Sequence, residues 1–498
     1  MSSKVSKLCV SLIPENYGQL QKWLPQCTGS DLLEIRIDLL KSPDFEKIRK
    51  LVDKPLIITP RTPSEGGRWP GSVRDYIKIL QAACAAGVDY VDVEFPLAKL
   101  VFPQLDRGKT QIVLSHHSGE KTLDALTAIF DEMRARDADV FKLILEADSL
   151  KESAIALDLL GHAAQSGVQF VIHAMGENGL PSRLIGATRG NAWTYVAKDY
   201  DQETASGQPA LHEARDFYFL HKKSPNTRTL GLAGWPIQQS KGWRLHNRLI
   251  DLKMSFAKSE TTGSDYLYVN FPTENLDEFW ANWQAHLHGL SVTIPHKEQM
   301  IKHLTEFSTE VRMSGVCNTV VATKTGWRGH NTDLLAMEQL LRPHQETIKN
   351  GGLIVGTGAT ARSAIAALKR LEVNPIFVVG RNDERGKMLS RKFGIDYLGF
   401  GEIHYASAVV IIQTTPVGMS PYVDEYPPGT ALFRKNRVVL DVIYNPAETR
   451  FLKIAKERGC VAISGVEMFL AQAAKQFEIF TGKPVSIAEV RRVWEEIF

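Results

Sequence analysis

The sequence predicts an α/β chain: an N-terminal (β/α)8 barrel, then a two-lobed α/β unit that includes a Rossmann-type dinucleotide domain. Three observations predict it. Apolar, strand-like runs recur through the first half with helical patterns between them. A polar stretch containing one proline, His221 to Arg228, separates two hydrophobic patterns and reads as a linker. Gly351 to Ala364 reads as a short buried strand (Leu353 to Val355), a glycine turn and a helix opening at Ala359 or Thr360.

At 498 residues the chain exceeds one hydrophobic core, and two or three domains are expected. Net charge is close to balanced at +3, with no run of basic residues interleaved with aromatics, which points away from nucleic acid. No apolar run approaches the ~20 residues that span a bilayer, so no membrane partner is expected. Too little precedes Leu8 for a targeting peptide, so a cytoplasmic protein is expected, or a stromal one for a mature plant chain. Five cysteines, Cys9, Cys27, Cys84, Cys317 and Cys460, lie far apart without CxxC or metal-ligand spacing. That pattern predicts no metal and suits a reducing compartment.

In order, the strand-like runs of the first half are Leu8–Ile13, Leu32–Ile37, Pro55–Thr59, Tyr90–Val93, Gln111–Leu114, Val140–Leu145, Gln169–Ile172 and Trp193–Val196. Segments such as Tyr76-Ile-Lys-Ile-Leu-Gln-Ala-Ala and Ile155-Ala-Leu-Asp-Leu-Leu carry helical periodicity between them. Eight alternations suit a closed barrel, since a doubly wound sheet would use fewer strands. A barrel gathers its chemistry at the C-terminal strand ends, and ionisable residues cluster there. Glu34 and Arg36 share one face of the second strand, Arg61 follows the third, and Asp92 and Glu94 lie on the fourth. His116 and His117 end the fifth, Lys142 lies within the sixth, and Arg183 and Gln208 lie in the last two loops. A lysine inside Phe141-Lys142-Leu143-Ile144 is costly to bury as an ammonium. Desolvation would lower its pKa towards the neutral amine that Schiff-base chemistry on a ketone requires. The competing reading is a structural ion pair with Glu34 or Glu94.

Glu34-Ile-Arg36-Ile-Asp38, Arg61-Thr-Pro-Ser-Glu65-Gly-Gly, Ser115-His-His117, Phe141-Lys142 and Met175-Gly-Glu-Asn-Gly resemble type I 3-dehydroquinate dehydratase. The resemblance implies that Lys142 forms an imine with the substrate ketone and that a histidine removes the adjacent proton, then protonates the departing hydroxyl. Residue chemistry leaves His116 and His117 open, because neighbours on a strand face opposite ways. The family pattern Ser-x-His selects His117. The same resemblance implies Arg183 as a clamp on the substrate carboxylate. Glu34, Arg36, Arg61 and Gln208 are implied to bind ring hydroxyls or orient the catalytic pair.

Past the linker, a strand at Thr229 to Ala233 leads into Gly234-Trp-Pro-Ile-Gln-Gln-Ser240-Lys-Gly242-Trp-Arg-Leu-His246-Asn247. Ser291-Val-Thr293-Ile-Pro-His-Lys297, Gly315-Val-Cys-Asn318-Thr and Gly329-His-Asn-Thr-Asp333 follow as loop-borne polar groups after short strands. Lys297 and Asp333 suit general acid/base work beside a hydride acceptor, against the plain reading of a surface ion pair. In the glycine turn, Gly356 and Gly358 let the backbone approach a pyrophosphate at the helix start. The strand Pro375 to Val379 ends in Gly380-Arg381-Asn382, where an arginine suits a 2′-phosphate, so NADP is the expected cofactor.

These segments, with Thr415-Pro-Val-Gly-Met419, Asp441-Val-Ile-Tyr444-Asn-Pro and Gln472-Ala-Ala, resemble shikimate dehydrogenase from about Thr229 onward. The resemblance implies a dehydratase domain over 1–222, a substrate domain over 229–335 with 466–498, and an NADP domain over 336–465. It implies a proton relay through Lys297 and Asp333 during hydride transfer. Ser240 is implied to meet the substrate carboxylate, and Thr293, Asn318, Asp333 and Gln472 the ring hydroxyls, with Gly242 and Tyr444 also lining the substrate. Gly356, Gly358, Ala359, Thr360, Arg381, Thr415 and Met419 are implied to hold NADP. Small-molecule substrates are the only partners expected.

Two departures stand out. Ser240-Lys-Gly242-Trp243 replaces the family's Ser-x-Ser-Pro, removing a hydrogen bond to a charged group worth roughly 1.5–3 kcal/mol. Gly242 also opens space beside C1 of the ring, where quinate carries an extra hydroxyl, so quinate dehydrogenation is the alternative activity. Gln413 stands where an asparagine is usual. A non-catalytic sensor or repressor built from the same domains is a third reading, opposed by the presence of Lys142, His117, Lys297 and Asp333.

Overall fold

Eight parallel strands build the first half of the computed structural model, which describes residues 6–255 and 265–498. They are β1 (Lys7–Leu12), β2 (Leu32–Arg36), β3 (Leu56–Thr59), β4 (Tyr90–Glu94), β5 (Gln111–Ser118), β6 (Val140–Glu146), β7 (Gln169–Met175) and β8 (Trp193–Val196). The strand order is β7-β6-β5-β4-β3-β2-β1-β8, so β1 pairs with both β2 and β8. All eight predicted strands are present. The seam between β7 and β8 is bridged by a side chain: Asn191 accepts from Ile172 N at 2.8 Å and donates to Ile172 O at 3.0 Å.

Side chains alternate along each strand, and this sorts the barrel interior into layers. Cys9, Leu32, Ile57, Val113, Val140, Val171, Trp193 and Tyr195 form one buried apolar cluster. Two residues further along the same strands lie Ser11, Glu34, Thr59, Ser115, Lys142 and His173, all buried. The barrel floor is therefore apolar and the layer above it polar. β5 and β7 run past their predicted ends to Ser118 and Met175, so His116, His117 and His173 sit within strands. Arg183, expected in a loop, is on the helix Leu180–Gly186.

Packing divides the chain into two compact units, residues 1–231 with 250–287, and residues 232–249 with 288–498. In the first unit the helix Leu150–Ala164 opens on a Ser149/Glu152 capping box and is apolar on two faces. One face lies on the barrel. The other meets the helix Leu276–Trp283, whose Trp283 Nε1 donates to Leu150 O at 3.0 Å. Arg189 adds bonds to His286 Nδ1 at 2.8 Å and to His286 O at 3.1 Å.

The next six strands, β9 (Arg228–Gly234), β10 (Tyr266–Pro272), β11 (Gly289–Val292), β12 (Glu306–Phe307), β13 (Thr319–Thr323) and β14 (Gly326–His330), form a mixed sheet. The last six are β15 (Gly352–Val355), β16 (Ile376–Val379), β17 (Asp396–Leu398), β18 (Val410–Gln413), β19 (Val438–Asp441) and β20 (Val461–Ile463). They pair in parallel in the order β17-β16-β15-β18-β19-β20, the doubly wound arrangement with its crevice between β15 and β18. Among the described residues no helix is long and apolar enough to cross a membrane.

Candidate active sites

The polar layer of the barrel opens into a small cavity lined by Glu34, Arg36, Arg61, His117, Lys142, His173, Arg183, Tyr195 and Gln208, among others. Lys142 does not stand alone there. Its Nζ lies 3.4 Å from both Glu34 Oε1 and Asp92 Oδ2, and 4.5 Å from the centre of the Tyr195 ring. Desolvation is thus met by two carboxylates, and the ion-pair reading holds for Glu34 but not Glu94. Glu34 accepts from Ser11 Oγ at 2.7 Å and Thr59 Oγ1 at 2.8 Å. Burial would push its carboxyl up, but Lys142 and Arg36 outweigh that and hold it well below the ordinary range.

Arg61, 2 % exposed, bonds Ser115 Oγ at 2.8 Å, Asp92 Oδ2 at 2.9 Å and Glu94 Oε1 at 3.3 Å. It therefore neutralises the acidic cluster beneath the lysine. Arg36 forks onto Asp38 with bonds of 2.8 and 2.7 Å. Gln208 is tied to Thr204 through its amide, at 3.1 Å in each direction.

Strand parity settles the histidine. Val113, Ser115 and His117 share the inward face of β5, so His117 lines the cavity with Lys142 while His116 does not. A residue given no role from sequence organises both: Glu65, on the turn after β3, bonds His116 Nδ1 at 2.8 Å and His117 Nδ1 at 3.0 Å. It also accepts from His117 N at 2.6 Å. Burial would raise Glu65, but these hydrogen bonds hold it at about 2, so it is a carboxylate that only accepts. Nδ1 of His117 therefore carries the hydrogen, leaving Nε2 with its lone pair. Burial, then the charge of Arg61, pulls His117 down to about 4 against Glu65, so the ring is neutral at pH 7.

In the second unit, Lys297 Nζ lies 2.6 Å from Asp333 Oδ2, and both side chains are nearly buried. Asp333 opens the helix Thr332–Leu341, capped by Asn331, whose Oδ1 accepts from Leu334 N. Asn318 braces the same turn: its Oδ1 accepts from Thr332 N at 2.8 Å, and its Nδ2 donates to Thr332 Oγ1 at 2.9 Å. Only one N–H of that amide is left for a ligand. Gln476, which the sequence did not single out, bonds Ser291 and Thr319 and lies one turn beyond Gln472 on the helix Gly465–Thr481. Tyr444 packs against Phe469 of that helix in a tilted pair, with ring centres 4.8 Å apart. Thr293 N donates to Ala233 O at 3.0 Å beside the loop that leads to Ser240. Ser240 Oγ accepts from Gly242 N at 3.4 Å at the start of the helix Gly242–Ser255.

At the crevice of the parallel sheet, Gly356 turns with φ +122°, and a Cβ there would lie 2.4 Å from Thr414 Oγ1. Gly358 precedes the helix Ala359–Arg370 with no side-chain cap, no acidic residue in the first turn, and open space where a Cβ would stand. Bare N–H groups with room above them suit a pyrophosphate. Arg381 is exposed past the end of β16, and Met419 is exposed while Thr415 is half-buried past β18. Gln413 shapes that last loop, accepting from Thr415 N at 2.7 Å and donating to Val417 O at 3.0 Å. Arg362 pairs with Glu298 at 2.9 Å, tying the dinucleotide helix to the neighbour of Lys297. Among the described residues no group of three or more His, Cys, Asp or Glu could hold a metal.

Residues 8–225 match type I 3-dehydroquinase, residues 232–320 the shikimate dehydrogenase substrate binding domain, and residues 465–493 the shikimate 5′-dehydrogenase C-terminal domain. The chain is 29% identical over 485 residues to the chloroplastic bifunctional 3-dehydroquinate dehydratase/shikimate dehydrogenase of Arabidopsis thaliana, covering 92% of this chain and 78% of that protein. It is similar to a solved chorismate mutase/shikimate 5-dehydrogenase fusion protein from Clostridium acetobutylicum, at 31% identity and TM-score 0.47 over 54% of this chain and 97% of that one. It is also similar to the dehydroquinate dehydratase and shikimate dehydrogenase from S. pombe, at 22% identity and TM-score 0.41 over 98% of each chain. The chain thus joins a segment that matches type I 3-dehydroquinase to segments that match shikimate dehydrogenase.

Proposed function

We propose that the barrel dehydrates 3-dehydroquinate to 3-dehydroshikimate through an imine on Lys142, and that the second unit reduces this product to shikimate with NADPH. The observation that carries the first step is that Lys142 and the Glu65-held His117 line one cavity. Lys142 gives a proton to a neighbouring carboxylate, Glu34 or Asp92, its free amine attacks the ring ketone, and that proton leaves with the ketone oxygen as water, giving an iminium that withdraws electrons from the adjacent carbon. Nε2 of His117 takes the proton from that carbon, and Glu65 stabilises the imidazolium that results. The same proton then goes to the departing hydroxyl, and a second water hydrolyses the imine to free Lys142. Arg183 meets the substrate carboxylate.

For the second step, NADP supplies the hydride when bound. Gly356, Gly358, Ala359, Thr360, Thr415 and Met419 would hold it, with Arg381 on its 2′-phosphate. Lys297 and Asp333 hold and pass the proton of the substrate oxygen, at the 2.6 Å separation that a relay requires. Ser240, Thr293, Asn318, Tyr444 and Gln472 orient the ring.

A second reading has specific support. Among the described residues a Cβ at Gly242 would meet only Ser240 Oγ, at 3.5 Å, which leaves room beside Ser240 for quinate's additional hydroxyl. Reduction of NADP by the purified protein with shikimate, and separately with quinate, decides between them. Dehydroquinate with borohydride tests the first step, because it should leave a reduced adduct on Lys142. All five cysteines are free thiols, which supports a reducing compartment such as the cytosol or the plastid stroma.

A further inference from the structure

Arg183 is 1 % exposed, yet among the described residues no carboxylate forms an ion pair with it. Its bonds are to His173 Nε2 at 2.9 Å and to Ser206 O at 3.4 Å, and its Nε has no partner. A guanidinium can only donate, so Nε2 of His173 must accept, and in the neutral ring Nδ1 then carries the hydrogen. That Nδ1 is also buried without a partner. Among the described residues these two buried N–H groups, on two bonded side chains, have no protein partner.

We propose that His173 is a positioning residue of the dehydratase site: it fixes the Arg183 guanidinium towards the cavity without cancelling its charge. The inference rests on the reading of Arg183 as the group that meets the substrate carboxylate. The choice of residue follows from chemistry. A carboxylate on β7 would neutralise the arginine and compete with the substrate, and an apolar side chain would leave NH1 free to turn. A neutral imidazole orients the guanidinium and leaves it cationic. The ring is itself held by edge contact with Tyr195, centroids 6.0 Å apart, and Tyr195 in turn covers the Lys142 ammonium. The positive neighbours Arg183 and Lys142 add to burial in keeping the imidazole uncharged. Burial lowers Arg183 only to about 10, so it stays charged at pH 7, with Glu203 contributing through space.

The test compares His173→Leu, His173→Gln and Arg183→Ala in the full-length protein, reading kcat and KM for dehydroquinate separately. Loss of the acceptor in His173→Leu should raise KM about tenfold while kcat changes less than about twofold, the scale of one hydrogen bond to a charged group. Gln places an acceptor near the position of Nε2 and should restore most of the affinity, a rescue that a merely structural role would not give. In the Arg183→Ala background, adding His173→Leu should raise KM no further. If Arg183→Ala raises KM steeply but His173→Leu does not, the clamp stands and the positioning residue is refuted. If Arg183→Ala leaves KM unchanged, the carboxylate reading itself falls. Additive effects of the two variants would also overturn the proposal.

Discussion

At the level of single residues, the state of His117 is set by groups on other elements. Glu65 fixes the tautomer, while burial and Arg61 keep the ring neutral down to about pH 4. The acid limb of dehydratase kcat/KM should therefore fall near pH 4 rather than near 6.5. In Glu65→Gln the carboxylate that favours the imidazolium is gone, so kcat should drop about 10- to 100-fold and the limb should move further to acid. A limb that stays near 6.5 in the wild type would show that His117 is not the base. Stability follows the same linkage. Between the unfolded value of 6.5 and the folded value of about 4 the unfolded chain binds the proton more tightly. This contribution to stability is whole above 6.5 and is lost as pH falls towards 4. Arg381→Asp should shift coenzyme preference from NADP towards NAD, measured as the ratio of kcat/KM values, and an unchanged ratio would separate Arg381 from the 2′-phosphate. Sequence placed Lys142 and the two histidines but not Glu65 as their organiser, because it comes from a turn after a different strand. Parity could not choose His117, since β5 is apolar on both faces, as strands buried on both sides are.

At the level of elements, the strands were legible because each buried apolar run is bounded by turn residues, whereas their ends were not. β5 and β7 continue through His117 and His173 because a barrel interior has a polar upper layer, and period-two hydrophobicity fails there. The glycine turn was legible in kind, and the structure adds its constraint. Gly356→Ala would place a Cβ 2.4 Å from Thr414 Oγ1 at φ +122°. NADP binding, followed by calorimetry, should weaken at least about tenfold and the melting temperature should fall, with dehydratase kcat unaffected. Gln413 stands where an asparagine is usual. Its amide accepts from Thr415 N and donates to Val417 O, so it shapes the loop after β18.

At the level of the whole molecule, the two sites share no residue, so each should fail alone. Lys142→Ala should abolish dehydration and borohydride labelling while NADP reduction by shikimate or quinate persists within about twofold. Loss of both activities would contradict the division of labour. The polypeptide passes from one compact unit to the other near residues 231, 249 and 287. The helix Leu276–Trp283 and His286 are therefore laced into the barrel body, through Trp283 to Leu150 and His286 to Arg189, although they follow the polar stretch in sequence. A protease that nicks only the 222–228 stretch would cut a thread and not a hinge. The two fragments should remain interlocked and run as one species on a sizing column until denaturant is added.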